Sequence, residues 1–153
     1  VAVDAIPGDF VTDAELTVDD AKGRPSFETL QTRAKTTLPT NVRQAALRHP
    51  ARLYLFDILA AGNGGATLDY RGVPLAERKH LLRAAFDDTK TLIYITGIPD
   101  IGEWVFEQAI AHDLEGMIAK RLDAPYLRGR SRNWLKVKHA GYSRPAALGF
   151  GRA

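Results

Sequence analysis

Cysteine is missing from all 153 residues, which excludes disulfides and thiolate metal sites. Long apolar runs are missing too. None approaches the roughly 18 residues that a bilayer-spanning helix needs. Val1 to Phe10 has no basic start and no apolar stretch, so it does not read as a signal peptide. The expectation is a cytoplasmic setting with no membrane partner. A Gly-x-Ser-x-Gly elbow and a Walker-type Gly-x-x-x-x-Gly-Lys loop are both absent. The cluster Gly62-Asn63-Gly64-Gly65 lacks a following lysine and helix, and reads as a turn. His49, His80, His112 and His139 are scattered, and His112, Asp113 and Glu115 fit no standard zinc spacing.

Acid is scarce in the last third. After Glu115 the only acid is Asp123, against Lys120, Arg121, Arg128, Arg130, Arg132, Lys136, Lys138, Arg144 and Arg152. That asymmetry fits a phosphate-facing surface better than a uniformly solvated one. The whole chain is only mildly basic, with net charge +3. Its 45% hydrophobic and 25% charged residues are ordinary for one globular domain with a sizeable core, or for part of a larger one.

Alternation predicts a strand over Phe10 to Val18, then a turn through Asp19 to Pro25. Ser26 is placed to cap a helix from Phe27 to Arg33, and Asn41 a second from Val42 to Arg48. Arg52 to Leu59 reads as a strand buried on both faces. Pro74 to Phe86 reads as a helix with Leu75, Leu82 and Phe86 near one face. A strand follows over Thr91 to Thr96, a helix over Ile101 to His112, and strands over Gly116 to Leu122 and Asn133 to Lys138. Helices and strands do not alternate strictly. The fold class is therefore α+β, with mainly antiparallel sheets and flanking helices.

Three segments carry chemistry. The first is Trp134-Leu135-Lys136-Val137-Lys138. In a strand Lys136 and Lys138 share one face and can clamp a phosphate, while Leu135 and Val137 face the core. The plain alternative is a solvated edge pair. The second is Leu114-Glu115-Gly116-Met117-Ile118-Ala119-Lys120-Arg121, and the third is Leu53-Tyr54-Leu55-Phe56-Asp57-Ile58-Leu59. In this order they resemble the motifs of the covalent nucleotidyltransferases, in particular the ATP-dependent DNA ligases. The resemblance runs from about Phe10 to Lys138. Phe10 to Leu16 is similar to the family's Asp-Gly-Glu-Leu strand. Gly23-Arg24-Pro25-Ser26-Phe27 and Pro74 to Lys79 resemble the segments that follow two of its motifs. Ala124-Pro125-Tyr126 with Gly129-Arg130-Ser131 and Trp134 looks most like bacterial ligases of the end-joining type.

The resemblance implies a ligase-type nucleotidyltransferase domain, ATP-grasp-like in architecture. It implies sealing of nicked double-stranded DNA through a lysine-AMP intermediate, with ATP and Mg²⁺ (or Mn²⁺), in DNA repair, recombination and replication. By the same resemblance Phe56 stacks on adenine, with Tyr54 on the same strand face as second choice; read alone, both are core aromatics. Asp57 supports the site; its plain alternative is an acid paired with a nearby arginine. Glu15 contacts the ribose or helps with metal, and Glu115 helps bind the metal. Ala14 stands where the family has glycine, putting a methyl near the nucleotide. Lys120 completes its motif but points away from Glu115. Lys136 and Lys138 hold the α-phosphate and stabilise charge in the transition state. Trp134 reads as a packing anchor. Arg128, Arg130 and Arg132 touch phosphate or DNA, or form a merely solvated loop.

The family's nucleophile lies in a Lys-x-Asp-Gly motif, and no lysine here is followed by that pattern. The expectation is residues 1–138 as a partial adenylation domain lacking the nucleophile segment, with 139–153 a flexible tail and the OB-type domain absent. On that view the chain alone is inactive, and its partner is a complementary ligase fragment or a repair protein. The alternatives are a non-catalytic nucleotide- or DNA-binding accessory module, an RNA ligase or capping guanylyltransferase, or a folded relic.

Overall fold

A computed structural model describes residues 8–63 and 65–143. The elements in chain order are β1 (Asp9–Val18), α1 (Phe27–Ala34), α2 (Pro39–Arg48), β2 (Ala51–Asn63), β3 (Ala66–Asp69), α3 (Leu75–Ala85), β4 (Leu92–Tyr94), α4 (Gly102–Ala111), β5 (Gly116–Lys120) and β6 (Trp134–Lys138).

The strands form a four-stranded sheet around β2 and a separate two-stranded sheet of β5 and β6. β1 lies antiparallel along one edge of β2, while β3 pairs antiparallel and β4 parallel with two stretches of its other edge. The α+β arrangement with mainly antiparallel sheets is therefore what the chain adopts. The core joins one face of β2 to the helix face that spacing predicted for α3, so β2 is not fully buried on both faces. Leu55 and Ile58 of β2 pack with Leu82 of α3, Phe86 and Leu92, covered by Phe10, Ala14 and Tyr94. The Ala14 methyl packs on that core.

Local chemistry sets most boundaries. Ser26 Oγ accepts the Thr29 N–H at 3.2 Å, satisfying one of the free donors at the start of α1. Asp20 closes the preceding turn by accepting from the N–H groups of Lys22 and Arg24. Asn41 does not cap α2. That helix starts at Pro39 after Leu38, because a proline at the first helical position needs no partner for an N–H it lacks. β2 runs four residues further than Leu59, into a hairpin with β3 whose last pair is Asn63 with Ala66.

α3 starts without a side-chain cap. Its unpaired donors are taken by the loop between β5 and β6. Leu75 N–H donates to the Ala124 carbonyl at 3.0 Å and Ala76 N–H to that of Leu122 at 2.9 Å. Tyr126 N–H donates to the Arg71 carbonyl at 2.8 Å. These bonds dock the loop of the second sheet against the helix start. Residues 139–143 continue beside the same sheet: His139 N–H donates to the Glu115 carbonyl at 2.8 Å, and Ser143 N–H to Asp113 at 3.0 Å. The remainder of the predicted tail, 144–153, lies outside the described residues.

Candidate functional site

β2 bulges twice against β1. Asp13 pairs with Asp57 and Ala14 with Leu55, so Phe56 is a surplus residue with no partner in the register; Leu59 is the other. A bulge bends the strand and re-aims a side chain. Tyr54, outside the core cluster as Phe56 is, pairs in register with the exposed Glu15 on β1. Phe56, half-buried, meets the Lys120 ammonium 4.2 Å from its ring centroid. The same ammonium lies 3.8 Å from the Trp134 ring, so Lys120 sits against one ring from each sheet. Trp134 does more than anchor packing.

The register of the small sheet fixes who faces whom. Lys120 pairs with Trp134, Ile118 with Lys136, and Gly116 with Lys138. Partners in an antiparallel ladder share a face. Lys120, Lys136 and Lys138 therefore lie on one side, with the exposed Ile118 among them. Glu115 also joins that side: Lys136 Nζ donates to its Oε1 at 2.7 Å. The opposite orientation expected from residue parity fails because Glu115 precedes the strand. Gly116, at φ +144°, turns the chain there. A Cβ on Gly116 would lie 2.0 Å from the Val137 carbonyl oxygen, so only glycine fits. Leu135, on the other face, is 57% exposed and not a core residue.

Electrostatics at this cleft are uneven. The Lys136 hydrogen bond and charge hold the Glu115 carboxyl below its ordinary range, with Lys138 adding a little. Burial pushes the Lys120 ammonium below the usual lysine value, against the pull of Asp57 and Asp13, and Arg78 repels it further. Lys79 of α3 is pushed down to about 8, first by burial and then by Lys120. Its Nζ donates to the Ile95 carbonyl and lies 5.1 Å from the Tyr94 ring.

Beneath Phe56, Asp57 and Arg78 form a fully buried pair, each side chain 0% exposed. Arg78 donates from Nε to Oδ1 at 2.7 Å and from Nη2 to Oδ2 at 2.8 Å. Its Nη1 donates to the carbonyls of Val73 and Ala124. Asp57 thus has the arginine partner of its plain reading. Arg78 was legible in one respect: it is a charge three residues after Leu75 and four before Leu82, on the buried stripe of α3. Tyr126 donates its hydroxyl to Asp13 at 3.1 Å and meets Trp134 edge-on, with ring centroids 5.4 Å apart.

The predicted basic loop is exposed at Arg128, Arg130 and Arg132. Asp123 is bound by Arg121 through contacts of 3.1 and 2.7 Å, so that acid leaves the loop's charge uncompensated. Arg128 borders an open groove of about 540 Å³ with Arg71, Asp69 and Tyr126. Among the described residues no group of three or more His, Cys, Asp or Glu side chains could hold a metal.

The profile of the ATP-dependent DNA ligase domain matches residues 2–138. DNA ligase 1 of Korarchaeum cryptofilum is 34% identical over 137 residues, covering 86% of this chain and 24% of that ligase. DNA ligase C2 of Mycolicibacterium smegmatis is 32% identical over 142 residues, covering 90% of this chain and 38% of that ligase. A solved structure of mycobacterial DNA ligase D complexed with ATP and MES superposes with a TM-score of 0.61 at 28% identity, over 85% of this chain and 38% of that one. The chain belongs to the ATP-dependent DNA ligase family, and its fold is that of the nucleotidyltransferase part of such a ligase. It spans only about a quarter to two fifths of the length of these ligases.

Proposed function

We propose that residues 1–138 supply the nucleotide-holding part of an ATP-dependent DNA ligase, with 139–153 as its tail. The observation that carries this is the single cleft face where the Phe56 ring meets Lys120, in line with Lys136, Lys138 and Glu115. The ATP in the ligase D structure supports the choice of nucleotide. In this reading adenine takes the Phe56 ring in place of the Lys120 ammonium, with Tyr54 the second aromatic nearby. Glu15 reaches the ribose. Lys136 and Lys138, with the released Lys120, neutralise the phosphates.

Glu115 is the candidate protein ligand for Mg²⁺ (or Mn²⁺). A single carboxylate suits a hard cation that keeps most of its waters and arrives on the phosphates. Lys136 must then move off Glu115, and an ammonium so released is free for phosphate. Arg128, Arg130 and Arg132 would face the backbone of nicked double-stranded DNA, a contact that salt should weaken steeply. A cytoplasmic setting goes with this reading. Among the described residues no helix is long and apolar enough to cross a membrane.

The sequence holds no Lys-x-Asp-Gly nucleophile. The covalent step depends on an attacking lysine, and in this reading a ligase segment outside these 153 residues, in the same or a complementary chain, supplies it. A second reading, which the exposed arginines of the loop between β5 and β6 favour, is a non-catalytic module that binds nucleotide or DNA beside a repair protein.

Titration calorimetry of the whole chain with ATP and Mg²⁺ tests the first reading. Binding should be saturable, and Phe56→Ala should weaken it about tenfold, since base stacking on an aromatic is worth ~1–3 kcal/mol. Radiolabelled ATP should leave no covalent AMP on the protein. Absence of binding at millimolar ATP sinks the nucleotide assignment. A stable AMP adduct on a lysine sinks the claim that the nucleophile comes from elsewhere.

A further inference from the structure

Among the described residues the two sheets share no strand pairing. Yet the Lys120 ammonium rests against Phe56 of one and Trp134 of the other, at 4.2 and 3.8 Å. Cation–ring attraction fades within about 6 Å. Something must therefore hold the sheets at a fixed separation. The backbone bonds of Leu122 and Ala124 tie the second sheet's loop to α3, not to β1.

Tyr126 reaches β1 directly. Its hydroxyl donates to Asp13 at 3.1 Å, across 113 residues of sequence. Its ring stands edge-on to Trp134 at an interplanar angle of 83°. On α3 the Arg78 guanidinium lies 5.9 Å from the Tyr126 centroid, completing the surround. Burial, then the charge of Asp13, pushes the pKa of the phenol up, so the hydroxyl keeps its proton and remains a donor at neutral pH. Asp13 in turn pairs in register with Asp57, and both attract Lys120.

We infer that Tyr126 is a positioning residue of this cleft: through Asp13 and Trp134 it sets the gap in which Lys120 meets Phe56. This rests on reading the cleft as a nucleotide site, because the same gap would admit the adenine. Tyr126 touches neither Lys120 nor any reacting group in this role. It acts through its neighbours.

The test uses the whole chain in a Trp104→Phe background, where Trp134 is the remaining one of two tryptophans. Lys120→Met removes the cation from the Trp134 ring and defines the cation-free emission. Tyr126→Phe keeps the ring and loses only the hydroxyl. It should move Trp134 emission at least half-way to the Lys120→Met signal. ATP affinity should fall about tenfold, the order expected for a lost hydrogen bond to a charged acceptor. Asp13→Ala should copy Tyr126→Phe, and Asp13→Asn, which keeps an acceptor oxygen, should stay closer to the parent. A purely structural tyrosine would lower the unfolding midpoint and leave Trp134 emission and ATP affinity where they were; that result overturns the inference. If the parent binds no ATP, the nucleotide reading fails, and the emission arm still decides the positioning role.

Discussion

Replacing Arg78 by methionine should be among the most damaging single changes in the chain. The buried Asp57 carboxylate would lose charge-assisted bonds of 2.7 and 2.8 Å. Hydrogen bonds to charged groups contribute ~1.5–3 kcal/mol each, so the two together amount to roughly 3–6. Breaking one side of a buried ion pair typically costs about 3–5 kcal/mol, because a charge is left without a partner or water. The carbonyls of Val73 and Ala124 lose a donor as well. Set against a domain stability of about 5–15 kcal/mol, that loss consumes much of the margin. The double variant Asp57→Leu/Arg78→Met removes both charges and keeps apolar volume, so it should recover at least about 2 kcal/mol relative to the sum of the singles. Urea unfolding followed by far-UV circular dichroism gives all four corners of the cycle. A single Arg78→Met loss under about 1 kcal/mol, or strictly additive losses in the double, would refute the reasoning.

Two further outcomes are expected. Gly116→Ala should cost over ~2 kcal/mol, because a positive φ and a methyl 2.0 Å from the Val137 oxygen add together, whereas Gly23→Ala, with open space around it, should cost about 1; equal losses in urea would contradict the close approach. Lys79 titrates at about 8 in the fold against an ordinary 10.5, so the unfolded chain binds more protons between those values and this group's penalty is relieved as pH rises through them. Lys79→Met should therefore stabilise the chain at pH 7, by roughly 1 kcal/mol after screening by water, and that advantage should shrink toward pH 10.5; an advantage independent of pH would refute it.

Most of the fold was legible because local signals agreed with one another. Leu75, Leu82 and Phe86 at helical spacing gave the buried face of α3, and Ser26 gave the start of α1. β3 escaped notice because its four residues are all exposed and carry no alternation. At the site, period two correctly put Lys136 and Lys138 on one face, since β6 is regular. It failed at Glu115, where a glycine turns the chain. The bond between Tyr126 and Asp13 has no local signature at all. Partners 113 residues apart meet only through the folded topology.

The surplus position of Phe56 has a consequence for what the sheet itself requires. Delete that residue and Leu55 and Asp57 become neighbours, already matched to the adjacent Ala14 and Asp13. The ladder would become more regular, not less. Sheet pairing therefore gives no reason for a residue here, and the aromatic ring is an insertion that β2 tolerates at the expense of its own continuity. If Phe56 stacks on adenine as proposed, folding and ligand recognition are separable at this position, and loss of Phe56 would be an easy path by which such a domain could keep its shape and abandon its task.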